Sequence, residues 1–292
     1  MSARAPRQPI TLHPMKTIAL PFTALICALA ILLISPTAAR AKEKPVAVAV
    51  PAGIHHEGWD ALLKKYVNDK GLVAYEKWKA SDADKKTLDE YLAQFSPAGT
   101  PAKGDELAAS AINAYNAFAI RWILENYPTE SIQSLDKSFA RKAHLVAGQK
   151  IALDDLEHGT LRPLIGYRAH AALVCCARSC PPLQRTAYTA SGLNAQIDTA
   201  YRTWLAREDL NHFSPDKNTA EISSIFKWFK EDFDKAGGVP KILGMYGPAA
   251  QRAFLAKGGY KIEYLPYRWG LNDQGSRGEN YSRANLIFDA LF

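Results

Sequence analysis

The chain holds few cysteines and fewer methionines, four and three among 292 residues. Three of the cysteines, Cys175, Cys176 and Cys180, crowd into the stretch "VCCARSCPP". No second C-x-x-C and no H-x-x-x-H accompanies them, so a zinc knuckle is not expected and no metal or cofactor is implied. No basic stripe with interleaved aromatics occurs, which sets nucleic acid aside as a partner. No Ser/Gly linker and no internal repeat divides the chain. After Ile34 no apolar run is long enough to span a bilayer.

What is there begins with a leader. Lys16 precedes an apolar run from Ile18 to Ile34, followed by Ala39-Arg40-Ala41. A basic start, an apolar stretch and an A-x-A site are the pattern of a secretory signal, with cleavage expected after Ala41 and Met15 as an alternative start. An uncleaved anchor is the rival, disfavoured by the short run, by Pro21 within it and by the small-residue site. The leader carries Arg4, Arg7, Lys16 and Arg40 and no acids, so the formal charge of +7 falls to 32 basic against 29 acidic residues without it. The expected organisation is a signal peptide over 1–41, a flexible lead-in over 42–54 and a single domain over 55–292, exported to periplasm or medium.

Periodicity predicts mostly helix. "WDALLKKY" places Trp59, Leu62, Leu63 and Tyr66 on one face, and "DADKKTLDEYLAQF" does the same with Leu88, Tyr91, Leu92 and Phe95. "GDELAASAINAYNAFAIRWILEN" is the longest periodic segment, a central helix capped by Asp105 and ended by Pro128. Further helices are expected over "LDDLEHGTLRPLI", "SGLNAQIDTAYRTWLARE" and "SSIFKWFKEDFDKAGG", the last capped by Ser223 or Ser224. Strands are expected near Leu145, in a hairpin turning at Ala147-Gly148-Gln149, and near His170, Ala220 and Ile262. The class is α+β, a small sheet packed by several helices around one long central helix.

Several side chains could carry chemistry. Asn113 and Asn116, three apart, share one inward helical face, and buried amides must find partners. They either pin neighbouring loops, the more ordinary role, or floor a polar cleft. Glu157 and His158 adjoin on a short helix and diverge by about 100°, too far to grip one ion together. His170, on its expected strand, is a satisfied core histidine or a general base. In an oxidising compartment Cys180 is expected to pair with Cys175 or Cys176, leaving one thiol over. As a nucleophile Cys180 is the best placed of the three, at a turn made rigid by Pro181, which could open a helix. Pro181 and Pro182 remove two N–H donors that a thiolate would use, while Arg178 could lower the thiol pKa.

"INAYNAFAIRWILENYP", "ALDDLEHGTLR", "RAHAALVCCARSCPPL", "ISSIFKWFKEDF" and "YRWGLN" resemble, in order, the family called domain of unknown function 547, over Trp59 to Asn272. The resemblance implies recurrent positions at Asn113, Tyr115, Asn116, Glu157, His158, Arg168, His170, Cys175, Cys180, Pro181, Trp228, Asp232, Phe233, Trp269 and Asn272. It also implies an architecture distantly like papain or transglutaminase, although there the long helix presents the nucleophile and here it presents asparagines. Arg268 stands where the family more often has an acid, so no triad member is carried over from that position. Asn272 could orient a histidine, as an asparagine does in some cysteine proteases.

The resulting expectation is an exported protein with a polar cleft, catalysing cysteine-dependent hydrolysis or acyl transfer on a peptide-like substrate. Cys180 is then nucleophile and His170 base, with Asn113, Glu157 or Asn272 orienting, and Asn116, Tyr115, His158, Arg168 and Trp269 binding a peptide or small-molecule ligand. The alternative is a non-catalytic binding or scaffolding domain of the cell envelope with a structural disulfide. A thiol redox role is weaker, because C-x4-C is not the C-x-x-C redox spacing.

Overall fold

A computed structural model describes residues 44–281. The expected signal peptide lies outside the described residues. Helices α1 (Glu57–Tyr66), α2 (Tyr75–Ala80) and α3 (Asp82–Ala93) pack their aromatic faces together, Trp59 and Tyr91 stacking at 5.9 Å and Tyr66 and Trp78 at 4.6 Å. They cover one side of α4 (Gly104–Asn126). The α4 residues Ala108 to Ile120 are buried without interruption, so this helix is the centre of the core and not an amphipathic surface helix. Its alanines let neighbouring backbones approach closely.

The hairpin β1 (His144–Val146) and β2 (Gln149–Ile151) turns at Ala147-Gly148, both with positive φ, as the sequence predicts. A π-helical stretch, Asp155–Leu161, runs into α5 (Arg162–Ile165) and a 3₁₀ turn, Gly166–Ala171. After α6 (Leu193–Leu205) comes a three-stranded sheet in which β3 (His212–Ser214) pairs antiparallel with β4 (Thr219–Ser223). Short helices α7 (Ile225–Trp228), α8 (Lys230–Lys235), α9 (Val239–Tyr246) and α10 (Arg252–Lys257) precede β5 (Lys261–Leu265), which lies parallel to β4. The fold is α+β with small sheets, as expected. Among the described residues no helix is long and apolar enough to cross a membrane.

Four local expectations are corrected. His170 lies on the 3₁₀ turn, not a strand, because the small residues around it pack inside the core and need no sheet partner. The segment after Lys44 is docked and not a free tether: Val48 and Val50 are buried, and the Val46 and Val48 amides donate to Asp155 Oδ1 and Thr160 Oγ1, both at 2.9 Å. Asp105 does not cap α4, whose N-cap is Lys103. No helix begins at Pro181; instead Pro182 lies against Gly71, where a Cβ would meet its Cα at 2.5 Å.

Candidate acid–base and disulfide site

Two asparagines on α4 set the framework. Asn113 Nδ2 donates to Tyr188 O at 2.8 Å and its Oδ1 accepts from Tyr188 N at 2.9 Å. Asn116 repeats the arrangement one turn later, donating to Ala172 O and accepting from Val174 N, both at 2.9 Å. Each amide thus replaces a missing strand partner and pins a non-repetitive segment to the helix. The second one fixes the chain between His170 and Cys175.

His170 is buried, with Nε2 2.8 Å from Asp232 Oδ2 and its ring stacked on Phe229 at 4.1 Å. The same carboxylate oxygen accepts from Arg162 Nε at 2.6 Å. Burial pushes the Asp232 carboxyl upward, but hydrogen bonds from His170 and Arg162 outweigh it and hold the group well below the usual carboxylate range. Burial pulls His170 below its ordinary value of 6.5, only partly opposed by Asp232. A neutral ring beside an ionised Asp232 donates through Nε2–H, which leaves Nδ1 as its basic atom.

Glu157 comes from the π-helical stretch, whose end is closed by the Arg162 amide donating to Glu157 O. Burial pushes its carboxyl above 4.5, offset in part by the His170 and Arg162 charges and by a hydrogen bond from the Tyr115 hydroxyl. His158, its neighbour, points elsewhere: its Nδ1 accepts from Arg162 at 2.9 Å. The divergence expected for adjacent helical residues is therefore present, with Arg162 bridging His158 and Asp232.

Cys175 and Cys180 form a disulfide, with Cα atoms 6.2 Å apart. Of the two expected pairings, the one to Cys175 is realised. Cys176 is buried and free, its φ of 60° folding its side chain back into the core. The loop is held by an isolated antiparallel bridge to the C-terminal segment: Arg178 N donates to Gly270 O, Asn272 N to Cys176 O and Arg268 N to Ser179 Oγ. Tyr267 reaches both sulfurs, its hydroxyl 3.1 Å from Cys175 Sγ and 3.2 Å from Cys180 Sγ. The Glu157 carboxylate also acts electrostatically on the Tyr267 phenol.

The expected site residues thus divide. Glu157, Tyr115 and His170 come together, whereas His158 turns to Arg162. Cys180 lies beside Tyr267, and its sulfur hydrogen-bonds to the Cys175 amide and the Tyr267 hydroxyl, not to His170. In its disulfide Cys180 is no nucleophile. Asn272 does not orient His170; its Oδ1 accepts from Tyr75 at 2.8 Å, and Asp232 holds the imidazole instead. Arg168 joins Asp198 on α6 and Tyr246 on α9. Trp269 is buried against Tyr267, with ring centroids 4.6 Å apart. The roles of Arg162, Asp232, Phe229 and Tyr267 escaped the motif reading, since only a buried polar residue amid aromatics, such as Asp232 in "FKEDF", hints at them.

Fold and site define an α+β protein with a buried His170–Asp232 pair, a half-buried Glu157 carboxyl that acts on it, and a disulfide. Residues 101–205 match the model of the family described as protein of unknown function, DUF547. The segment contains both asparagines, Glu157, His170 and the cysteine loop, while Asp232 and Tyr267 lie beyond it. No curated protein and no solved structure matches the chain significantly.

Proposed function

We propose that the protein is an exported hydrolase or acyl transferase acting on a peptide-like substrate, with Cys180 as nucleophile once its disulfide is opened. The observation that carries this reading is the buried His170–Asp232 pair, on whose imidazole the Glu157 carboxyl acts electrostatically. Three ionisable groups are driven apart there: one ionised carboxylate that orients, one neutral imidazole that accepts a proton, and one carboxyl that gains protons easily. Two donors converge on Cys180 Sγ, the Cys175 amide at 3.0 Å and the Tyr267 hydroxyl at 3.2 Å. They supply what the two prolines withhold and favour a thiolate there after reduction. Export is supported by the leader pattern and by a disulfide, which suits an oxidising compartment. Processing after Ala41 would give a secreted chain whose first residue on N-terminal sequencing is Lys42.

The test is alkylation. In reduced, folded protein at neutral pH, Cys180 should react with iodoacetamide faster than a free thiol, and His170→Gln should abolish that excess. Equal rates in the two proteins, with folding confirmed by circular dichroism, would defeat the proposal. A second reading, a non-catalytic envelope binding or scaffolding domain, is favoured by the Asn113 and Asn116 amides each holding a peptide unit at both ends, a structural use of the polar face of α4. It predicts no His170 dependence at all.

A further inference from the structure

We propose that the Cys175–Cys180 disulfide is a thiol–disulfide exchange site for a dithiol reductant, entered at Cys175 and releasing Cys180. The two sulfurs are unequal. Cys175 is only partly buried, whereas Cys180 is 5% exposed. An incoming thiolate therefore reaches Cys175 first. Departure is unequal too, because the Cys175 amide already donates to Cys180 Sγ at 3.0 Å, while the Tyr267 hydroxyl, within reach of both sulfurs, is free to turn to whichever one leaves. Exchange is fastest when the leaving sulfur is the better stabilised thiolate. Burial keeps the Tyr267 phenol protonated, so it remains a donor throughout.

The step balances with the dithiol as reductant. Its thiolate attacks Cys175 Sγ, a new S–S bond forms there, and the electron pair of the old bond leaves with Cys180 as thiolate. The second sulfur of the dithiol, having lost its proton to water, attacks the mixed disulfide. The reductant departs as its own disulfide and Cys175 leaves as a thiolate that water protonates. Cys176 takes no part: it is fully buried and its thiol is pushed up to about 12 by burial, partly offset by Tyr75. The loop itself is held by its bonds to Gly270 and Asn272, so opening the disulfide leaves it in place. C-x4-C spacing is thus compatible with redox chemistry, because tertiary donors supply what the short C-x-x-C turn supplies elsewhere.

That release activates a nucleophile rests on the function proposed above; the exchange itself does not. The full folded chain is exposed briefly to glutathione, a monothiol probe that halts at the mixed disulfide, then quenched with iodoacetamide and mapped by peptide mass spectrometry. The expected result is glutathione on Cys175, alkylation on Cys180 and no label on Cys176. Glutathione on Cys180, an even division between the sulfurs, or resistance of the folded protein to dithiothreitol would overturn the proposal. Tyr267→Phe keeps the ring and should slow opening by dithiothreitol about threefold, the effect of roughly one pKa unit in the leaving thiol; an unchanged rate removes Tyr267 from the mechanism. Correct regiochemistry without His170-dependent alkylation would leave the exchange site standing and remove the hydrolase reading. The converse pattern would do the opposite.

Discussion

At the scale of single residues, the half-buried Glu157 and the buried Asn116 represent opposite kinds of polar group. Glu157 has its carboxyl raised above 4.5, chiefly by burial. A carboxyl whose folded pKa is raised contributes stability that is present below its unfolded pKa and lost as pH rises through the folded value. Glu157→Gln should therefore make the protein more stable at neutral pH while removing the acid–base activity proposed for it. Thermal melts from pH 4 to 8 check this, and a variant less stable than the parent at neutral pH would show that the charge is structurally needed. Asn116 is wholly structural: both ends of its amide are used, by Ala172 O and Val174 N. Asn116→Ala should cost about 1–3 kcal/mol for each buried group it orphans, seen in urea unfolding. A loss below that range would mean that water replaces the amide.

At the scale of elements, the π-helical stretch and the docked lead-in form one unit. Asp155 receives the Val46 amide on Oδ1 and the Ala152 amide on Oδ2, both at 2.9 Å, and Thr160 receives the Val48 amide. Gly159 lies directly under Val46, where an added Cβ would come within 2.2 Å of the Val46 carbonyl oxygen. Backbone cannot yield cheaply there, so Gly159→Ala should cost roughly 1–3 kcal/mol and free the lead-in. Limited proteolysis should then cut within residues 44–50 faster than in the parent. Unchanged cleavage would indicate that the lead-in is not held by this contact. The same stretch presents Glu157 and His158, so its clamping by the lead-in also fixes one wall of the acid–base cluster. The cysteine loop is held analogously, by the C-terminal segment and not by a regular sheet.

At the scale of the whole molecule, the burial of histidines among the described residues contributes to how stability depends on acidity. His56, His144 and His170 all have lowered pKa values, with burial the largest cause in each. The folded state binds fewer protons at these sites than the unfolded chain. Their stabilising contribution is therefore present above pH 6.5 and lost on acidification. For His144, pushed down to about 4, the window runs from 6.5 to about 4. Asp232 adds a loss at still lower pH, because its folded pKa lies below the carboxylate range. Stability should thus fall steadily below neutral pH. His144→Phe, which preserves the ring contact with Phe118 at 4.4 Å, should flatten that fall between pH 6.5 and 4. A profile as steep as the parent's would assign the acid sensitivity to the other two histidines.

The helices were legible in the sequence for two reasons: α1 and α3 each carry an aromatic stripe at helical spacing, and α4 is a long alanine-rich run between Asp105 and Pro128 with good helix formers throughout. So were the 144–151 hairpin and the inward aim of Asn113 and Asn116. The 3₁₀ turn at His170 was not, since a run of small apolar residues reads equally as a strand when no partner is visible. Nor was the site's wiring. The His170–Asp232 bond spans 62 positions and the Tyr267–Cys180 contact 87, and spacing along a chain carries no information about such meetings. The sequence by itself determined the residue types, the helical periods and a cysteine loop able to close on itself. Only the tertiary structure decided that Cys175 is the partner of Cys180, that Asp232 and not Asn272 holds His170, and that Glu157 is pressed into low-dielectric surroundings. These depend on which groups share a desolvated space, and packing alone creates that space.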